Sequence, residues 1–317
     1  MAVDSVTSPS VPEPRGLVAP PAARRFRFLT DRRLAVAFIL PAFALLLLFS
    51  VFPLFYALYY SFTDYSATRN TSTHWIWFHN YSLVLHAPSV HQRAIQTVVF
   101  VIGAIALETA LGFALAFLIS RRRRGGGLIT TLLLLPMMLS PVVVGLFWRF
   151  MLDAQFGVLN SMLGSIGGPK NITWLTDSRL AMLSLVIVDA WQWTPFIMLI
   201  ALAGLTAVPK YLYEAAEIDR ASEWFRFRRI TLPLVWPLLL IAVMFRAIEA
   251  FRLFDLVYIL TGGGPGGTTE TLSYNVYKVA FFGFDTGRAA AYGILMVIVV
   301  ILASQLYLRY LHRLQTR

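Results

Sequence analysis

The chain is predicted to be an all-α membrane protein with six membrane-spanning helices and both termini in the cytoplasm. Three observations carry that expectation. Of its 317 residues, 58% are hydrophobic and 14% charged, with a mean hydropathy of +0.67, whereas a soluble domain carries about 25% charged and about 45–50% apolar residues. Long stretches with at most one charge recur along the chain, and a helix needs about 20 mostly apolar residues to cross the hydrocarbon core. The alternating segments of about ten residues that a membrane barrel requires are missing. This composition argues against a soluble enzyme. The absence of cysteine removes disulfides, thiolate metal sites and thiol nucleophiles together.

Residues 1–30 hold Pro9, Pro12, Pro14, Pro20 and Pro21 and read as a cytoplasmic tail without a packed core. Within 31–317, read as the membrane domain, spans are placed at about 34–62, 94–120, 127–150, 180–207, 234–260 and 289–311. The first is uncharged and roughly twice as long as the apolar region of a signal peptide, so it is expected to stay as an anchor. The second contains Glu108 and the fourth Asp189. Near the end of the third stands Arg149, expected to snorkel outward. The fifth opens apolar and turns charged in its second half. No repeat recurs at a fixed period.

Lys and Arg total 27 against 16 Asp and Glu, for a net charge of +11. In a soluble chain this excess would suggest nucleic acid; in a membrane chain it sets orientation, and no nucleic-acid partner is expected. With the N-terminus inside, eighteen of the 27 fall in cytoplasmic segments and six outside. The arginine run at 121–124 belongs to that signal, with attraction for anionic lipid as a secondary effect.

The segment between spans four and five, 208–233, is amphipathic and long for a connector. Glu214-Ala215-Ala216-Glu217 is a strong helix former, its alanines allow close approach by a partner, and Pro233 suits the first turn of span five. On the residues alone it is either a docking element or a helical hairpin lying on the membrane surface.

These residues resemble the signature of permease subunits of binding-protein-dependent ABC importers: Glu-Ala-Ala, three residues, Gly, nine residues, Ile, one residue, Leu-Pro. Glu214, Ala215, Ala216, Ile230, Leu232 and Pro233 fall on it at that spacing, with Asp219 beside the Gly position and Arg220 occupying it. Gly there would ease a turn between two short helices, a freedom Arg lacks at positive φ. The Trp191-Gln192-Trp193-Thr194-Pro195-Phe196 stretch and the stretch from Phe254 to the Gly-rich run after Thr261 are similar to the carbohydrate-importing branch. Within it they resemble the maltose- and glycerol-phosphate-type systems.

The resemblance implies a six-transmembrane-helix ABC importer permease bundle in a bacterial-type inner or plasma membrane. It implies that 208–233 is the coupling helix seated in an ATPase subunit. The implied partners are a second permease, two ATPase subunits that bind ATP and Mg, and an extracytoplasmic sugar-binding protein. The chain itself would carry no catalysis and no cofactor, and a sugar would cross it. In keeping with that, the glycine run at 262–267 lacks the Lys-Ser/Thr of a phosphate-binding P-loop.

Charges inside a membrane are costly and usually paired or functional. Arg246, Glu249, Arg252 and Asp255 alternate in sign at three-residue steps, which makes them neighbours on a helix. Two readings stand: a self-neutralising structural ladder, or a polar wall facing a wet path for sugar hydroxyls. Asp189 wants a cation, and Arg246 or Arg252 lies at comparable depth. Trp191, Gln192 and Trp193 beside it either suit a sugar, whose C–H faces pack on aromatic rings, or form an interfacial aromatic belt. Glu108 has the same pair of readings as Asp189. Four histidines, His74, His79, His86 and His91, fall in the expected first external loop; spacings of five do not align two ligands on one helix face and no Asp or Glu lies between them, so no metal site is expected.

The alternative function is a secondary carrier or channel for a small polar solute, working without ATP. It predicts interrupted half-helices in matching positions of two repeats. A membrane-embedded enzyme would need a cluster such as His-Glu-x-x-His or a Ser–His pair, and no His lies within a span.

Overall fold

A computed structural model describes residues 31–68, 72–122 and 125–315; the expected tail at 1–30, together with Arg123 and Arg124 of the arginine run, lies outside the described residues. The chain divides into two compact units, one ending at Leu54 and the other beginning at Phe55.

In the first unit, α1 (Asp31–Leu46) passes through a π-helical turn (Leu47–Val51) into α2 (Phe52–Ser61), which carries the chain into the second. The π turn lies directly before Pro53. Proline cannot donate to the carbonyl four residues back, and a locally widened turn accommodates the gap. The same device recurs at Pro233.

The second unit is helical throughout. After α3 (His79–His86) come α4 (Pro88–Ser120), α5 (Gly126–Leu134), α6 (Pro141–Met151), α7 (Val158–Ser165) and α8 (Ser178–Ala207). Then follow α9 (Lys210–Ile218), α10 (Glu223–Arg226), α11 (Leu232–Phe251), α12 (Asp255–Leu260), α13 (Leu272–Tyr277) and α14 (Thr286–Gln315). Among the described residues no strand forms, apart from an isolated bridge between Thr63 and Trp75.

Among the described residues five helical runs are long and apolar enough to cross a membrane: Phe38–Ser61, Pro88–Ser120, Ser178–Ala207, Glu223–Phe251 and Thr286–Arg313. The sixth is interrupted. Gly126–Met138 and Pro141–Met151 meet at 94°, so the single helix expected at 127–150 is corrected to a broken one. Its cause lies in Pro136 and Pro141, between which Leu139 and Ser140 are extended. The fifth span also departs from the expectation. Its helix starts at Glu223, runs through a π turn (Phe227–Thr231) just ahead of Pro233, and stops at Phe251. The chain then turns, and Asp255 opens a new helix.

α8 is the centre of this unit. Fourteen of its 30 residues are buried and span most of its length, as expected of a helix apolar on every face. Gly112 lets α4 approach it closely, since a Cβ there would stand 2.8 Å from Ile197 Cβ and 2.9 Å from the Met198 nitrogen. One apolar cluster gathers Phe100, Leu185, Val188 and Leu256, and a second, toward the basic end, gathers Ile197, Met198, Val235 and Leu239.

Candidate functional site

The close packing of α4, α8 and α11 brings three charges from distant parts of the sequence to one buried point. Arg246 Nε and Nη2 donate to the two carboxylate oxygens of Glu108 at 2.7 Å each, and Nη2 also donates to Asp189 Oδ2 at 2.5 Å. All three side chains are sealed from solvent. The Arg246 guanidinium also lies 5.1 Å from the centroid of the Trp193 ring. A planar guanidinium meets a carboxylate in this two-pronged way and a lysine ammonium does not. Of the two cations considered for Asp189, the structure selects Arg246. The ladder is therefore corrected: Arg246 turns away from Glu249 to partners on other helices.

The rest of the charged set lies at the surface. Arg252 Nη2 donates to Glu249 Oε1 at 2.7 Å, with side chains 60% and 54% exposed. Asp255 is exposed in the first turn of α12, past the end of α11. Gln192 is buried and donates from Nε2 to the Leu139 carbonyl at 3.0 Å. That carbonyl sits at the break between α5 and α6, so Gln192 supplies a donor to one group that the interruption leaves open. Trp191 is half-buried against Trp148, edge to face at 5.6 Å. Arg149 is exposed and donates to the Ile259 carbonyl at 3.2 Å, tying α6 to α12.

Segment 208–233 forms two helices joined by a tight turn. At the end of α9, Arg220 N–H bonds to Glu217 O at 3.1 Å and Ala221 N–H to Ala216 O at 2.9 Å. This is the paired closure of a helix by a left-handed residue, and Arg220 has φ 51°. The turn that Gly would ease is thus made by Arg. Ser222 caps the next helix, its Oγ accepting from Phe225 N–H at 3.2 Å. Ala216 faces inward, 8% exposed. Tyr211, Glu214, Ala215, Asp219 and Ile218, the last 83% exposed, point away from the bundle. Ile230 and Leu232 are half-buried and Pro233 exposed; Tyr213 Oη and Thr231 Oγ1 hold the two helices together at 2.8 Å.

A second ionic centre is invisible to sequence spacing. Buried Glu270 meets Arg93 Nε and Lys278 Nζ at 2.5 Å each. It underpins the glycine run: Tyr274 Oη donates to the Gly262 carbonyl at 3.0 Å, and Thr269 Oγ1 to that of Gly264 at 2.7 Å. Gly263 has φ 78°, and a Cβ there would stand 2.6 Å from Glu270 Cγ. Nearby, Phe254, Tyr258 and Tyr277 form an aromatic shelf, with Phe254 and Tyr258 stacked at 5.6 Å. In the segment between α2 and α3, Asp64 accepts from the His74 backbone N–H at 2.6 Å, and this bond holds its carboxyl below the usual range. Among the described residues no cluster of three or more His, Asp or Glu is placed to hold a metal ion.

The fold and its buried charges define a multi-pass helical membrane protein. Residues 108–316 match the family of binding-protein-dependent transport system inner membrane components, and the chain belongs to that family. It is 38% identical over 292 residues to the probable ABC transporter permease protein y4oQ of Sinorhizobium fredii, covering 92% of this chain and 93% of that protein. Against the trehalose/maltose transport system permease protein MalF of Thermococcus litoralis it is 35% identical over 282 residues, 88% of this chain and 94% of the relative. Among solved structures, the bacterial alginate ABC transporter in complex with alginate pentasaccharide-bound periplasmic protein contains a chain of the same fold. The TM-score is 0.76 at 22% identity, covering 86% of this chain and 92% of that one.

Proposed function

We propose that this chain is the pore-forming subunit of an ATP-driven sugar importer. It receives a sugar from an extracytoplasmic binding protein, pairs with a second permease, and takes its drive from two ATPase subunits that hold ATP and Mg. Both termini lie in the cytoplasm, and 208–233 is the coupling element. The trehalose/maltose relative supports a sugar as cargo.

One observation carries the coupling reading. The α9 to α10 element displays Tyr211, Glu214, Ala215 and Ile218 outward from a turn locked by its own backbone hydrogen bonds. Apolar side chains held rigidly at a surface suit a cleft in a partner, because close-packed interfaces transmit displacement instead of absorbing it. The buried Glu108–Arg246–Asp189 centre then serves as a joint that keeps α4, α8 and α11 moving together. The exposed Glu249–Arg252 pair, Asp255 and the aromatic shelf supply groups for a wet path: donors and acceptors for hydroxyls, and ring faces for C–H surfaces. Buried Gln192 belongs to the scaffold of that path.

The test is Ala215→Trp in the transporter reconstituted with its partners. Bulk on the outward face is expected to abolish uptake and stimulated ATP hydrolysis while leaving the amount in the membrane unchanged. Full uptake with full stimulation would remove 208–233 from the coupling role.

A further inference from the structure

We propose that the basic end of the bundle contains a site for an anionic phospholipid, with the headgroup phosphate in one cavity and an acyl chain in the next. Two cavities open side by side where α4 ends and α10 begins. The first, about 520 Å³, is walled by Arg121, Lys210 and Arg226, with the hydroxyl residues Ser120 and Tyr213 among its lining. The second, about 350 Å³, is walled by Phe113, Ala114 and Trp224. Phe117, Arg121, Glu223 and Phe227 line both, so the two are halves of one amphipathic recess.

The polar half is built for a phosphate. Three cations, Arg121, Lys210 and Arg226, line it against one carboxylate, Glu223. Arg121 is held in place, its guanidinium 4.4 Å from the Phe117 ring centroid. Its partner in the described structure is Glu223, at 3.1 Å between side chains that are both exposed. An exposed pair of this kind contributes little and yields to a stronger acceptor. A phosphate entering the cavity would take Arg121 from Glu223, the residue that opens α10.

The apolar half points to a lipid and away from a free anion. Phe113 and Ala114 lie about one helical turn deeper along α4 than Phe117. The groove thus runs from the charged cavity toward the membrane interior, the path of an acyl chain below its headgroup. Its wall is fixed: Phe227 stacks on Trp224 at 5.6 Å and meets Phe117 edge-on at 5.5 Å. Inorganic phosphate or a soluble phosphate ester would have no use for this groove.

The experiment uses the full-length chain in nanodiscs of phosphatidylcholine with phosphatidylglycerol, and native mass spectrometry of the lipid retained. Arg121→Gln with Arg226→Gln is expected to lower retained phosphatidylglycerol about tenfold and leave phosphatidylcholine unchanged. Arg228→Gln with Arg229→Gln removes the same charge from exposed positions outside the recess and should have little effect. Glu223→Gln should raise retention by freeing Arg121. Ala114→Trp, at an exposed position on α4, fills the groove and should also lower retention. Equal losses in the two double variants would overturn the proposal in favour of diffuse attraction. Retention insensitive to Ala114→Trp but competed away by inorganic phosphate would make the recess a free-phosphate site, and the lipid reading would fall.

Discussion

Arg246 on α11 grips Glu108 on α4 with two hydrogen bonds of 2.7 Å across 138 positions of sequence. The same guanidinium reaches Asp189 on the helix between them. Removing the cation leaves two carboxyl groups in a sealed core, whereas removing one acid leaves the other still paired. Arg246→Ala is therefore expected to cost about 3–5 kcal/mol, and Arg246→Lys to recover only part of it because an ammonium cannot bridge both oxygens in plane. Thermal unfolding of the purified chain checks this; an unchanged midpoint for Arg246→Ala would refute the centre's structural weight.

Arg220 holds a left-handed conformation that costs a residue with a Cβ about 1–2 kcal/mol. Arg220→Gly should stabilise the turn by about 1 kcal/mol after the extra freedom of glycine in the unfolded chain is counted, and should keep uptake. Arg220→Val, branched at Cβ, should do the opposite. Amide exchange at Ala221, whose N–H closes the turn, reads both.

Much of this arrangement was legible in the sequence because it is written in local pattern. Apolar length gave the helices, and the Glu214 to Pro233 spacing gave a two-helix element and its family. The partner of Asp189 was narrowed to two cations by depth alone, since charges sealed in a membrane need counterions. The departures depended on contacts between distant segments. Regular spacing placed Arg246 with Glu249, but the buried face of α11 turned it to α4 and α8. Arg93 and Glu270 meet only through the fold, and neither carries a local signal. The break in span three can be read as two prolines, yet the donor that meets its Leu139 carbonyl, Gln192, comes from a helix 53 positions away in sequence.

Asp64 and His74 provide a pH handle on the segment between α2 and α3. The Asp64 carboxyl is held below its usual range chiefly by the His74 backbone N–H, with the ring nitrogen at 3.3 Å as a lesser contributor. A depressed carboxylate adds stability above its unfolded value and loses it as pH falls through the folded one. Asp64→Asn keeps an acceptor but not the charge. Its loop should exchange His74 amide hydrogen faster than wild type at neutral pH, and the difference should shrink as pH falls through the carboxylate range. A difference that grows on acidification would contradict the sign.

Glu270 is the shared anion of Arg93 and Lys278 beneath the glycine run. Glu270→Gln leaves Arg93, itself largely buried, without a counterion, and about 2–3 kcal/mol of local stability should be lost. Limited proteolysis is expected to cut at 262–267 sooner than in wild type, with the bundle remaining intact. Cleavage unchanged there, or spread evenly over all loops, would show that the ionic centre does not hold this segment.

Glu249 and Arg252 pair at 2.7 Å at the C-terminal end of α11, yet both remain more than half exposed. Charges so placed have little to contribute to folding, since solvent or a wet surface screens them. They also cannot face hydrocarbon, where they would be costly. The path reading puts them at a hydrated face, unlike the buried Arg246. Glu249→Gln and Arg252→Gln should leave thermal stability nearly unchanged and lower sugar uptake several-fold, because each removes a charged group that a hydroxyl-bearing cargo or a facing subunit would meet. Exchanging the two, Glu249→Arg with Arg252→Glu, preserves the pair but reverses its direction along the helix. If pairing alone matters, the exchange restores uptake; if each charge meets its own partner, uptake stays low. The path reading requires the second result, and full uptake in both single variants would leave the pair without a part in transport.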